Sequence, residues 1–383
     1  MDFSLSEEQQ LIRDTARDFA ENELVPNAKK WDEARSFPVE AVKKLGELGF
    51  LGMMVDPQWG GAGMDSVSYA LAIEEISRGC ASTGVIMSVN NSLVCHPLEE
   101  FATDEQKARL LEPLASGKWL GAYCLTETSA GSDAGATKTT AVRDGDDWVV
   151  NGVKIFVTNG HYADCYIVYA STDPAQKTRG ITAFAVERTR DGVKMGTREK
   201  TLGIRASATS EILFDNVRIP ASNQIGELNR GFKVAMLTLN GGRVGIAAQA
   251  VGIARAAFER ALAYSQTRKQ FDVPISSFQG IRWKLADMAT RIDASRLLTL
   301  TAAHLKDQGV DYAASAARAK LFASRTAVEV TDAAIQIHGG YGYIEEYEVE
   351  RHYRDAKITE LYEGTSEIQK VVISRAVLHG EAR

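Results

Sequence analysis

Trp148-Val149-Val150-Asn151-Gly152-Val153-Lys154-Ile155-Phe156-Val157 sets a β segment inside a chain otherwise patterned for helices. Two β-rich arms flank Asn-Gly, the pair that best supplies positive φ to a tight turn. The spacing therefore predicts a hairpin centred on residues 151–152. Outward from it, 122–126, 165–170, 181–186 and 211–214 read as further strands, and Pro220 closes the β region.

Both flanks read as helical. On the N-terminal side, Ser6-Glu7-Glu8-Gln9 is a capping box, and Ile12, Ala16 and Phe19 recur at helical spacing. Pro26 is expected to mark the end of that helix. Helical patterns cover 38–49, 66–80, 84–101 and 104–115. The run Pro57-Gln58-Trp59-Gly60-Gly61-Ala62-Gly63 reads as a turn, because no strand-to-helix frame makes it a phosphate cradle. On the C-terminal side, Ala-rich patterns with broad apolar faces run through 244–267, 277–307 and 312–337, as in a packed bundle. Gly339-Gly340-Tyr341-Gly342 breaks the last of these, and a closing helix follows Thr365. The fold class is multidomain α+β. It comprises an all-α domain (1–115), a β-barrel or sandwich-like domain (116–225) and a helical bundle (226–383).

Composition narrows the function. Of 383 residues, 45% are hydrophobic and 25% charged, enough to bury several cores without disulfides or metals. A net charge of −6 with no Lys/Arg block argues against a nucleic-acid binder. No apolar stretch approaches the roughly 18 residues of a membrane span. The first thirty residues lack the pattern of a targeting peptide. Cys80, Cys95, Cys124 and Cys165 are scattered and set among apolar residues, so reduced thiols and a cytoplasmic location are expected. The six histidines show no i,i+4 pairing, so no metal site is expected.

Five motifs, in order, resemble the acyl-CoA dehydrogenase family. They are Ala122-Tyr123-Cys124-Leu125-Thr126-Glu127 through Ala130-Gly131-Ser132-Asp133; Asn151-Gly152 with Lys154-Ile155-Phe156-Val157-Thr158-Asn159-Gly160; Arg268-Lys269-Gln270-Phe271 with Phe278-Gln279; Gln336-Ile337-His338-Gly339-Gly340-Tyr341-Gly342; and Tyr362-Glu363-Gly364-Thr365-Ser366-Glu367-Ile368-Gln369. The resemblance implies the acyl-CoA dehydrogenase fold with a C-terminal four-helix bundle, bound FAD and a homotetramer. It also implies an acyl-CoA substrate, short or short-branched, with electrons passed to an electron-transfer flavoprotein.

Making a 2,3-enoyl thioester requires loss of an α-proton and a β-hydride. A carboxylate must reach the α-carbon, and the thioester oxygen needs hydrogen-bond donors. By resemblance Glu363 is the base, and Tyr362, Glu363 and Gly364 lie beside substrate. Burial would bring an ordinary carboxyl of pKa about 4.3 nearer the useful range. Some relatives carry the base at the position of Gly242, which has no side chain to serve. Asn240 and Arg243 match substrate-side positions, with Asn240 replacing the family's usual Asp. Tyr123, Leu125, Thr126, Gly131, Ser132, Phe156 and Thr158 match flavin contacts, and Ser132 also the CoA arm. Phe156 stands where many relatives have Trp. Thr128 and Ser129 replace the usual Pro-Gly, which leaves the shape of that loop open. Arg268, Gln270, Phe271, Phe278 and Gln279 match contacts to FAD from a neighbouring subunit. Gln336, His338, Gly339 and Gly340 match an adjoining clamp, and Thr365 and Glu367 complete the set. Two other readings remain open at this point: a dehydrogenase of carrier-protein-tethered acyl groups, and a flavin-binding relative of low activity.

Overall fold

The computed structural model describes residues 4–380. Ser6 caps α1 (Glu7–Phe19) reciprocally: its hydroxyl accepts from the Gln9 N–H, and the Gln9 side chain accepts from the Ser6 N–H, both at 3.1 Å. The helical path does not end near Pro26. A π-helical segment, Ala20–Leu24, carries it into α2 (Val25–Ala34). Pro26 falls in the first turn of α2, where its missing N–H is tolerated. The path stops at Arg35, which is left-handed. Then come α3 (Val39–Glu47), α4 (Ser66–Gly79), α5 (Ala81–Ser88), α6 (His96–Phe101), α7 (Asp104–Gln106) and α8 (Glu112–Ala115). π-helical segments at Val89–Cys95 and Lys107–Leu111 interrupt the last two expected helices.

The β region is one eight-stranded sheet: β1 (Gly121–Cys124), β2 (Thr140–Asp144), β3 (Asp147–Val157), β4 (Cys165–Ser171), β5 (Ile181–Glu187), β6 (Val193–Arg198), β7 (Ser210–Pro220) and β8 (Gln224–Ile225). Its order is β6-β7-β3-β2-β4-β5-β8, with β1 parallel to β4. The expected hairpin at Asn151-Gly152 is not there. That pair lies inside β3, and the hairpin turn is Gly145-Asp146 between β2 and β3. Asn-Gly here marks a register shift against β7. Asn151 bonds Asn216 across the two strands, accepting from its N–H at 2.8 Å. A Cβ at residue 152 would lie 2.3 Å from the Thr139 hydroxyl, so glycine serves close approach rather than a turn. β2, β6 and β8 were not visible as strands in the sequence pattern.

After α9 (Gly231–Thr267) come a short hairpin of β9 (Lys269–Gln270) and β10 (Val273–Pro274), then α10 (Gln279–Asp307), α11 (Ala313–His338), α12 (Val349–Ile358) and α13 (Ser366–His379). α9 packs on α11, α10 and also α4, so the two helical regions share one core. β4 is buried on both faces. Cys165, Ile167 and Tyr169 join the helical core, while Tyr166, Val168 and Ala170 join the sheet's own core. The period of two thus clamps the sheet against α9 and sets β1 beside it.

Candidate active site

Between α12 and α13 the chain makes an irregular turn. Glu363 has φ +52° and Gly364 φ +91°, so a non-glycine residue sits in a conformation that normally costs energy. The surroundings hold it. The Lys320 ammonium donates to the Gly364 carbonyl at 2.7 Å. The Gln369 amide donates to the same carbonyl at 2.8 Å and to that of Glu363 at 3.3 Å. Thr365 caps α13, its hydroxyl accepting from the Ile368 N–H at 3.4 Å.

The turn drives the Glu363 carboxyl against α9. A Cβ at Gly242 would lie 2.0 Å from Glu363 Oε2 and 2.9 Å from Leu93 Cδ2, so the absence of a side chain makes room for the acid. One turn on, a Cβ at Gly245 would meet the Tyr69 and Ser88 hydroxyls, each at 2.5 Å. These two hydroxyls bond each other at 3.0 Å. A further turn on, Gln249 accepts a hydrogen bond from the Tyr362 hydroxyl. Gly242, Gly245 and Gln249 thus form one stripe along α9.

Both Glu363 oxygens are buried without a hydrogen-bond partner. Burial raises the carboxyl to about 7, against the pull of Lys320 and Arg243. Arg243 is also buried, and burial lowers its affinity for the proton while Glu363 raises it. It donates to the Asn240 side chain at 2.7 Å, but its Nε has no partner. Asn in place of Asp therefore still orients the arginine. The Tyr123, Tyr169 and Thr238 hydroxyls are buried and lie against one another nearby. Burial raises Tyr123 well above its ordinary value, with smaller contributions from Tyr169 and then Glu363, so it remains a hydrogen-bond donor. An uncommitted acid, a cation and several hydroxyls converge on one place, an arrangement suited to proton abstraction beside a polarised oxygen.

The residues expected around the flavin gather at the ends of β1 and β3, joined by the Ile155 N–H donating to the Thr126 carbonyl at 2.9 Å. Behind them Lys154, fully buried, donates to the Leu125 carbonyl (3.0 Å), Glu127 (2.8 Å) and Thr137 (3.0 Å). Burial opposes ionisation of Glu127, but Lys154 and the hydrogen bonds win and hold it at about 2. Thr128 and Ser129 close a two-residue turn, with paired Glu127–Ala130 backbone bonds of 3.0 and 3.1 Å and no positive φ. The loop therefore forms without Pro-Gly. Gly131 and Ser132 are exposed next to it. Phe156 is 61% exposed with φ +55°, an aromatic ring held outward at the strand's end, and Thr158 follows it.

A second group lines a separate cleft of about 430 Å³ formed by Arg268, Gln270, His338, Gly339 and Gly340 with Tyr264 and Tyr341. Glu363 does not line it. Gly339 has φ +60°, and a Cβ at Gly339 or Gly340 would meet nothing within 4 Å, so bare backbone faces the opening. The Arg268 guanidinium stands 5.3 Å over the Tyr341 ring. His338 stacks on Tyr264 and bonds the Ala334 carbonyl at 2.8 Å. A cation beside exposed glycine backbone suits a diphosphate, and the outward Phe156 suits a flat ring. The residues present fit FAD. Gln336, Phe271, Phe278 and Gln279 lie outside that cleft, with Phe271 88% exposed and packed edge-on to Phe278. Thr365 and Glu367 are at the start of α13 and do not line that cleft.

Sequence reasoning missed Lys320 and Tyr69, and quoted Lys154 in a motif without a role. Lys320 carried a signal, since it interrupts the buried stripe Ala316, Ala323 and Ala327 of α11.

Comparison with known proteins accounts for the chain from end to end. It matches the family models of the acyl-CoA dehydrogenase N-terminal domain over 6–118, middle domain over 122–217 and C-terminal domain over 229–378. It is 51% identical to the short-chain specific acyl-CoA dehydrogenase of Clostridium acetobutylicum, over 98% of this chain and 99% of that protein. Butyryl-CoA dehydrogenase from Megasphaera elsdenii superposes with a TM-score of 0.98 at 45% identity, over 99% of this chain and 100% of that one. A chain from the structure described as the electron transferring flavoprotein of Acidaminococcus fermentans matches with the same TM-score at 47% identity, over 99% and 100%. With three family models covering nearly all of it and a cleft that fits the cofactor, this chain belongs to the acyl-CoA dehydrogenase family of FAD-dependent oxidoreductases.

Proposed function

We propose that this enzyme dehydrogenates a short acyl-CoA to the trans-2-enoyl-CoA, with Glu363 as the base. The observation that carries the reading is the Glu363 carboxyl: buried, unpartnered and titrating at about 7 over Gly242. Bound FAD supplies the acceptor for the β-hydride. Glu363 takes the α-proton, and it does so as the carboxylate, so the free enzyme becomes competent as pH rises through about 7. Among the described residues the Glu363 N–H has no partner, which leaves it to donate to the thioester oxygen as negative charge develops. Arg243, ordered by Asn240, adds positive charge nearby. Phe156, Thr126 and Thr158 cover the flavin, and Ser132 takes the CoA arm.

The α9 stripe supports a short acyl chain. Beyond Glu363, the pairs Tyr69–Ser88 and Tyr362–Gln249 close the way along the helix. A longer acyl chain has to break buried hydrogen bonds, at about 1–3 kcal/mol for each group left unsatisfied. One methylene in an apolar pocket returns only about 1–3 kcal/mol. The relatives named for short-chain acyl-CoA and butyryl-CoA support the same choice. The acceptor proposed for the electrons is an electron-transfer flavoprotein, and the assembly a homotetramer in which the Arg268–Phe271 segment reaches the neighbour's FAD. The test is anaerobic flavin bleaching and kcat/KM with butyryl-, isobutyryl-, 2-methylbutyryl-, hexanoyl- and octanoyl-CoA. Butyryl or a branched C4–C5 ester should lead; a lead for octanoyl-CoA refutes the length assignment and leaves Glu363 standing.

A further inference from the structure

Lys320 stands where α11 otherwise buries alanines, and its side chain is fully covered. Burying an ammonium costs several kcal/mol unless it is paired and hydrogen-bonded. The partners here are unusual: one carbonyl, that of Gly364 at 2.7 Å, and the charge of Glu363 one residue before it. Gly364 follows Glu363, the residue of the turn held at a positive φ that a side chain disfavours.

We propose that Lys320 is a positioning residue for the base, clamping the Glu363–Gly364 turn through the Gly364 carbonyl and supplying the positive charge against which Glu363 ionises. The inference rests on reading Glu363 as the base. The charged and titratable groups facing Glu363 are Lys320 on α11, Arg243 on α9, Tyr69 on α4, Tyr123 on β1 and Tyr362 in its own turn. Those around Lys320 are Glu363, Arg243, Glu360 and Glu367. Arg243 is already engaged with Asn240. The tyrosines stay neutral, so Lys320 and Arg243 are the groups that oppose burial at Glu363. Burial brings Lys320 itself down to about 8, with Glu363 holding it up. Acid and ammonium therefore titrate as a linked pair, each favouring the charged form of the other. The carbonyl that Lys320 grips also accepts from Gln369, so loss of the lysine leaves the turn one donor rather than none.

The experiment uses full-length FAD-loaded enzyme with Lys320→Met and Lys320→Gln. Methionine removes donor and charge; glutamine keeps a donor and removes only the charge. Flavin reduction by butyryl-CoA is followed against pH, with the infrared band of the protonated Glu363 carboxyl, identified by its loss in Glu363→Gln, as an activity-independent titration. Both variants should shift the acid limb and the band measurably upward, since removing a nearby opposite charge disfavours the carboxylate. Lys320→Gln should recover the rate at high pH better than Lys320→Met. An unmoved band in a variant that retains FAD overturns the proposal. A third measurement needs no lysine variant: the Lys320 side-chain nitrogen, followed by ¹⁵N resonance, should titrate lower in Glu363→Gln than in the native enzyme. Equal titration in the two overturns the coupling even where the lysine variants do not fold. If Glu363 is not the base, Glu363→Gln keeps its flavin reduction whatever the titrations show, so the two failures are distinguishable.

Discussion

At Glu363, the proposed base, the demands of catalysis and of stability run in opposite directions. A base for an α-C–H is useful when its affinity lies near the working pH, and burial supplies that by disfavouring the carboxylate. The same burial penalises the fold. The carboxyl titrates at about 7 in the folded enzyme against an ordinary 4.5, so between those values the folded state binds more protons than the unfolded. Stability therefore falls as pH rises through that window and stays lowered above it, by about 3 kcal/mol. Glu363→Gln removes the ionisation and keeps the shape. It should retain FAD and bind acyl-CoA, while flavin reduction drops about 10²–10⁴-fold. Its melting temperature should exceed that of the native enzyme at neutral and alkaline pH, and the difference should shrink toward the ordinary carboxylate range. Near-native flavin reduction in the variant would place the proton on another residue. A melting difference independent of pH would show that Glu363 is not the strained group.

The helix α9 makes the same trade along its length. Glycine inside a helix costs about 1 kcal/mol relative to alanine, yet Gly242 and Gly245 sit mid-helix on the stripe that faces the acid. Gly242→Ala sets helix propensity against a Cβ 2.0 Å from Glu363 Oε2. The contact is with the end of a side chain, so the carboxyl can give way, and the melting temperature should change little. Catalysis cannot give way so easily, because a displacement of about 1 Å can cost about 10²-fold in rate. Stopped-flow reduction by butyryl-CoA checks this, and a native rate would show that the acid does not work over residue 242. Elements also show where the sequence was legible. Periodicity of 3.6 with caps gave α1, α4, α10 and α11 to within a few residues, because long amphipathic or Ala-rich helices repeat one signal many times. It failed where tertiary contact overrode the local signal. Asn151-Gly152 has turn chemistry, but Thr139 needed its close approach inside β3. Pro26 has stop chemistry, but it falls in the first turn of α2, after a π segment that carries the helical path on. α12 is short and rich in charge; its Arg354 pairs with Glu350 one turn back, but the pair with Asp32 that ties the helix to α2 appears only in three dimensions.

For the whole molecule, the site divides into parts of different legibility. The Glu363 turn was named from a contiguous motif, but its support by Lys320 and the α9 stripe joins residues far apart in sequence. The cleft around Arg268 and Gly339-Gly340 does not include Glu363 within one chain. Large apolar groups stand exposed around that cleft and along α10: Phe271 at 88%, Tyr343 at 87% and Trp283 at 62%. Such exposure is costly for a lone chain and ordinary for a surface that meets another subunit. The proposed homotetramer explains both facts, since Arg268, Gln270 and Phe271 of one subunit then complete the FAD site of its neighbour. In that assembly cofactor and interface would be linked: FAD bridging two subunits would stabilise the interface, and the interface would retain FAD. Phe271→Ala tests the link. Removing an aromatic anchor from an interface costs on the order of 2 kcal/mol, roughly thirty-fold in affinity. The variant should therefore lose FAD at protein concentrations where the native enzyme keeps it, and light scattering should show smaller species in step with the loss of flavin absorbance. Added FAD should restore both together. Glu363 should titrate as before in the reconstituted variant, because Phe271 lies outside its turn. An FAD-replete monomer of either protein would separate the cofactor from assembly and remove Arg268, Gln270 and Phe271 from the site.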